Sequence, residues 1–218
     1  MNEQRTSTQA GEQETPCASE TGGHSRSIRG AAHALVDAVR SDYEMMREGR
    51  AKYLSDSIPK GVFPVEVVKR IGLQMMVAIR TMHFFRDAGL TPAAQVMARL
   101  IRFGYGAEIH WEADFAPGVN IVHGNGLVVG SRAQIGKGCV LLHNITLGNA
   151  FDPKTGKIGG PTLEENVHIG PGCAVLGAIT VGKGSKLMAG SILDRSVPQG
   201  SLVKPAAATV STRSEPEG

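Results

Sequence analysis

GVNIVHGNGLVVGSRAQIGKGCVLLHNITLG, residues 118–148, places an aliphatic side chain every six positions and carries two histidines, His123 and His143, inside that repeat. The period decides the fold. Working outward, apolar residues fall at Ile109, Phe115 and Ile121, then at Val129, Ile135, Leu141 and Leu147, then from Leu163 through Ile169, Val175, Val181 and Leu187 to Leu193. Four positions after most of them stands a small or β-branched residue, as at Ala133, Cys139, Ile145, Val167, Cys173 and Ile179. QIGKGC (134–139), HIGPGC (168–173) and TVGKGS (180–185) show the unit plainly. Strands of a sandwich would alternate strictly and turn every 8–12 residues or so. A glycine-containing corner every six residues instead marks a parallel β-helix, in which three short strands close one triangular coil and the aliphatic side chains stack inside it.

Three hexapeptides make one coil, so the walls can be labelled from sequence. Two interruptions modify the count: VHGNGLV (122–128) is two residues longer than a regular unit, and GNAFDPKTGKIGGPT (148–162) inserts a loop of about ten. Ile121, Leu141, Ile169 and Leu187 then share one wall. Two residues beyond each lie His123, His143, Pro171 and Ala189, a single column along one edge. Ile109 falls on the next wall, which brings Glu108 to the corresponding corner one coil before His123. A carboxylate beside an imidazole fixes its tautomer and stabilises the imidazolium formed when it accepts a proton.

The first half reads differently. Residues 1–29 are polar and nearly free of aliphatics, and are expected to be a disordered tail. From 30 to 104 the period is helical. Leu35, Val36, Val39, Tyr43 and Met46 mark a first amphipathic helix. Val65, Val68, Ile71, Met75, Ala78 and Met82 hold the stripe of a second, from about Pro64 to Ala88, stopped by Gly89. Thr91 and Pro92 read as N-cap and first residue of a third, reaching Phe103. The fold class expected is therefore α+β, a helical domain at 30–104 followed by a β-helix at 105–203, with a C-terminal tail at 204–218.

Composition narrows the function. The chain has 23 basic and 20 acidic residues of mixed order, with no Lys/Arg block of the kind that tracks nucleic acid. Cys17, Cys139 and Cys173 have neither disulfide nor zinc-knuckle spacing, which suits a reducing cytoplasm. The N-terminus lacks the apolar core of a secretory signal. IGLQMMVAIRTMHFF (71–85) is broken by Arg80 and His83 and is too short for a membrane span, so no membrane or nucleic-acid partner is expected.

The segment from EIHWEADF (108–115) to SIL (191–193) resembles the β-helix of serine O-acetyltransferases and their polysaccharide-modifying relatives, and IRTMHFFRDAGL (79–90) is similar to the last helices of that family's N-terminal domain. The resemblance implies a left-handed coil, a homotrimer with active sites between subunits, and acetyl-CoA as co-substrate with no tightly bound cofactor. It implies His123 as general base and Glu108 as its acidic partner. The acceptor hydroxyl would attack the thioester directly, without an acyl-enzyme. Pro171 and Ala189 match the turns under the pantetheine arm, Asn149 a loop position near the thioester, and Lys183 and Lys186 are candidate contacts to the CoA phosphates.

Two departures bear on the acceptor. The family's serine-specific members carry an acid directly before the catalytic histidine, where this chain has Val122, and an Arg-His pair where it has Gly159 and Gly160. Loss of a bidentate carboxylate clamp removes a charge-assisted contact. His143 stands where those members often carry Gln. Val122, Gly160 and His143 thus become the candidate acceptor-binding positions, for L-serine, a sugar or a modified amino-acid hydroxyl. Two other classes stay open. A metalloenzyme of β-helix carbonic anhydrase type would use three histidines, of which His123 and His143 could be two, but a third at that family's spacing is missing. A non-catalytic trimeric scaffold is the other.

Overall fold

The computed structural model describes residues 27–54, 63–152 and 156–207. Cys17, most of the expected N-terminal tail, the tip of the inserted loop and the chain beyond 207 lie outside the described residues.

Four helices come first: α1 (Ile28–Leu54), α2 (Phe63–Lys69), α3 (Ile71–Asp87) and α4 (Thr91–Tyr105). The strands follow as β1 (Glu108–Ile109), β2 (Asp114–Phe115), β3 (Asn120–Ile121), β4 (Val128–Val129), β5 (Gln134–Ile135), β6 (Val140–Leu141), β7 (Thr146–Gly148), β8 (Ala150–Asp152), β9 (Lys157–Gly159), β10 (Thr162–Leu163), β11 (His168–Ile169), β12 (Ala174–Leu176), β13 (Thr180–Val181), β14 (Lys186–Leu187), β15 (Ile192–Leu193) and β16 (Leu202–Val203). All but β8 and β9 pair in parallel into three faces of a left-handed β-helix: β1-β4-β7-β12-β15, then β2-β5-β10-β13, then β3-β6-β11-β14-β16. Strands of two residues suffice because each hexapeptide turns one aliphatic side chain inward and then needs a corner. The register stacks those side chains directly, Ile121 on Leu141 and Leu141 on Ile169, for example. Each such residue from Ile109 to Leu193 is buried, as are the corner residues Ala133, Cys139, Ile145, Val167, Cys173 and Ser185. Burial of one aliphatic chain is worth roughly 1.5–3 kcal/mol, so the stack supplies the main driving force of the domain.

The first coil would expose both its apolar filling and its strand edges without a cover. The helices provide it. Met75, Ile79 and Met82 of α3 and Ile101 of α4 continue the apolar cluster that begins at Ile109, Phe115 and Ile121. Gly89 (φ 77°) follows the end of α3, and the Leu90 N–H donates to the Phe85 carbonyl, which closes the helix with a left-handed turn. Gly106 (φ 62°) ends α4 in the same conformation and hands the chain to β1.

Three expectations about the helices are corrected. The second helix is two, broken at Arg70, which is extended (φ −124°, ψ 106°). Val65, Val68 and Ile71, assigned to its buried stripe, are exposed, and so is Val36 of α1. Met46 of α1 is buried as expected, but the rest of its buried face is Ala31, Ala38 and Asp42, because it packs against a charged partner as well as apolar ones. Finally, the flanking position of α4 is Leu90 rather than Thr91, with no side-chain cap.

Candidate active site

The edge between the third and first faces holds the predicted column. A ladder of backbone bonds stacks its layers: Asn144 N–H donates to Asn125 O (2.9 Å), Gly172 N–H to His143 O (3.1 Å) and Gly190 N–H to Pro171 O (2.9 Å). His123 and His143 are brought together with ring centroids 5.9 Å apart and planes at 70°, the first exposed and the second half-buried. Pro171 and Ala189 continue the column above them.

Helix α3 sets where this edge begins. A Cβ on Gly72 would stand 1.9 Å from the Ile121 carbonyl oxygen, so only glycine lets the helix come this close. One turn on, the Met75 sulfur lies where a Cβ on Gly124 would be, at 2.2 Å. The HGNG turn is therefore held from beneath, two and three residues after β3 has fixed Ile121. Sequence reading found the turn but not the helix that supports it. Gly72 offered a signal, a helix-disfavouring residue in the first turn of an apolar helix.

Glu108 lies at the start of β1, one layer below: Gly126 N–H donates to Gly106 O (2.9 Å) and Glu108 N–H to Leu127 O (2.8 Å). Its carboxylate pairs with Arg102 of α4 at 3.3 Å, and among the described residues no hydrogen bond joins it to His123. Both members of the pair are more than half exposed. Val122 is exposed beside His123.

The other candidates stand elsewhere. Asn149 lies at the edge between the first and second faces, where its Oδ1 accepts from Arg132 N–H (3.3 Å) and its Nδ2 donates to Ser131 Oγ (2.9 Å), pinning the start of the inserted loop. Beyond it, β8 and β9 form an antiparallel hairpin. Gly159 and Gly160 return the chain to the coil under tight packing. A Cβ would meet Ala178 Cβ at 2.4 Å from the first and the Arg132 carbonyl carbon at 2.5 Å from the second. Lys183, at the edge between the second and third faces, pairs with Glu165 at 2.7 Å, a contact that holds the Glu165 carboxyl below its usual range. Lys186 projects from the third face beside His168, whose pKa is lowered by partial burial and then by that lysine.

Neither of the two described cysteines is placed for nucleophilic chemistry. Cys139 and Cys173 fill core corners and donate to the Glu164 and Met188 carbonyls, and burial pushes the Cys139 thiol up to about 11. No group of three or more His, Cys, Asp or Glu side chains converges among the described residues. Among them, too, no helix is long and apolar enough to cross a membrane. His110 accepts from Glu112 N–H in its own turn.

No protein-family profile matches the chain. Among curated proteins, a serine acetyltransferase of Bacillus pumilus is 37% identical over 152 residues, 68% of this chain and 68% of that one. One of Synechococcus elongatus is 36% identical over 130 residues, 58% of this chain, which spans about half (51%) of its length. A crystal structure of serine acetyltransferase from Brucella abortus superposes with a TM-score of 0.68 at 26% identity, over 84% of this chain and 70% of that one. With one relative matched across two thirds of its length and a helix-capped coil in common with the solved structure, the chain belongs to the serine acetyltransferase family.

Proposed function

We propose that the protein is an acetyl-CoA-dependent O-acetyltransferase in which His123 is the general base. The observation that carries this reading is the position of His123, exposed on a turn packed closely against α3 and beside His143. The imidazole takes the proton of an acceptor hydroxyl as its oxygen attacks the acetyl carbonyl carbon. The tetrahedral intermediate then expels the CoA sulfur, and the proton passes from the imidazolium to the thiolate. Backbone N–H groups at the coil corners are suited to the oxyanion. Glu108 serves as the acidic partner after leaving Arg102, a pair exposed enough that its loss costs ~0–1 kcal/mol.

Acetyl-CoA lies as substrate along the column through Pro171 and Ala189 of one subunit, and Asn149, on another edge of the coil, reaches it from a neighbouring subunit. Lys186 is available to a phosphate, and Lys183 becomes so by exchanging Glu165 for it. The assembly is a homotrimer in a reducing cytoplasm. Outward positions on the first face support the trimer: above Glu108 the register runs Val128, Thr146, Ala174 and Ile192, apolar but for the threonine. The second face offers Asp114, Gln134, Thr162 and Thr180 instead.

The test is His123→Ala assayed for CoA release. The expected loss is about 10²–10⁴ in kcat with an unchanged circular dichroism spectrum. A variant with normal kcat overturns the assignment. Glu108→Gln should lower kcat more than it raises the acetyl-CoA KM.

A further inference from the structure

The geometry points to an acceptor whose hydroxyl sits on an uncharged, polyhydroxylated body, a sugar rather than a free α-amino acid. This rests on the O-acetyltransferase reading of the same site and specifies its substrate class.

The edge that carries His123 consists of residues 122–126, 142–144, 170–172 and 188–190, and none of them is Asp, Glu, Lys or Arg. Among the described residues, the charged groups on the elements that flank this edge already have partners. Glu108 is taken up by Arg102 or, once it leaves, by the His123 imidazole; Arg70, two residues before Gly72, pairs with Glu66; and Arg80 of α3 is buried with Asp42 and the carbonyls of Phe115 and Ala116. The loop cannot contribute a clamp where it re-enters the coil, because neither Gly159 nor Gly160 has space for even a Cβ. That absence is built into the packing.

A free amino acid presents an ammonium and a carboxylate together. Both must leave water to bring the hydroxyl to His123, and each then needs an opposite charge or several strong hydrogen bonds. What the edge offers is different. His123 and His143 can each donate and accept, and the carboxamides of Asn125 and Asn144 do both. Val122 and Ile71 are exposed apolar neighbours on two segments that touch through Gly72. Mixed donors and acceptors beside an apolar patch match the alternating hydroxyls and C–H face of a pyranose. They leave a zwitterion with two uncompensated charges.

The experiment uses the full chain with acetyl-CoA and follows CoA thiol release with L-serine, methyl α-D-galactopyranoside and methyl N-acetyl-α-D-glucosaminide as acceptors, against a control without acceptor. At least one glycoside is expected to exceed L-serine in kcat/KM by about tenfold or more, with the signal abolished in His123→Ala. A kcat/KM for L-serine equal to or above both glycosides overturns the acceptor class while leaving the O-acetyltransferase reading intact. CoA release no faster than the control with every acceptor overturns both.

Discussion

Arg80 of α3 and Asp42 of α1 meet as a bidentate pair, Nε and Nη2 lying 2.8 and 3.0 Å from the two carboxylate oxygens, in a joint where both side chains are almost wholly buried. The same guanidinium donates to the Phe115 and Ala116 carbonyls, and Asp42 accepts from Gly118 N–H (2.8 Å). One ion pair thus ties two helices to the first coil. Removing one partner leaves a buried charge and orphaned carbonyls, so Arg80→Ala should cost about 3–5 kcal/mol. Arg80→Lys should recover little, since an ammonium cannot span a carboxylate and two carbonyls in one plane. Urea denaturation measures both, and a loss under 1 kcal/mol or so in Arg80→Ala would contradict the joint.

Gly72→Ala tests whether α3 positions His123. The added methyl would enter the Ile121 carbonyl, so the helix must back away. Overpacking of this kind costs roughly 1–3 kcal/mol. The retreat should also misalign the HGNG turn and lower kcat, while Gly104→Ala, where a Cβ meets nothing within 4 Å, should do neither. Equal melting temperatures and rates for the two variants would remove α3 from the site.

The glycines at the loop's return set a limit on engineering. Gly159→Arg with Gly160→His, which would recreate the family's basic pair in sequence, should destabilise the coil instead of restoring a clamp, because the Arg132 backbone and Ala178 fill the space. Val122→Asp is different: the site is exposed, the protein should fold, and kcat/KM for L-serine should rise about tenfold through a contact to the ammonium. Comparing thermal stability with serine turnover in the two variants separates the effects. A stable, serine-active glycine double variant would refute the packing argument.

His83 predicts the acid limb of stability. Burial, with Arg86 and Arg80 adding to it, lowers its pKa from 6.5 to about 3, and among the described residues its Nε2 has no hydrogen-bond partner. The unfolded chain binds a proton below about 6.5 that the folded chain refuses until about 3. Stability should therefore be unaffected by this group above that window and fall through it as the pH drops, by up to ~1.4 kcal/mol per unit. His83→Phe should flatten the slope between pH 6 and pH 4 or so, read from denaturation midpoints. An unchanged slope would mean that the imidazole is not held neutral.

The β-helix and its histidine column were legible in the sequence because a coil repeats one spatial relationship, and a period of six names which side chains stack whatever surrounds them. Ile121 over Leu141 and His123 beside His143 follow from counting once the two insertions are recognised. Helical periodicity gave the helices but not their breaks: Arg70 leaves the helical region although Val65, Val68 and Ile71 keep the spacing, since only a neighbouring surface decides which face is buried. Tertiary structure alone paired Arg80 with Asp42 and turned Glu108 to Arg102, choices among charged groups that spacing cannot rank. It also showed that Gly72, Gly159 and Gly160 are glycine for want of space. A missing side chain leaves no periodic trace, and its reason is the atom that stands where the side chain would be.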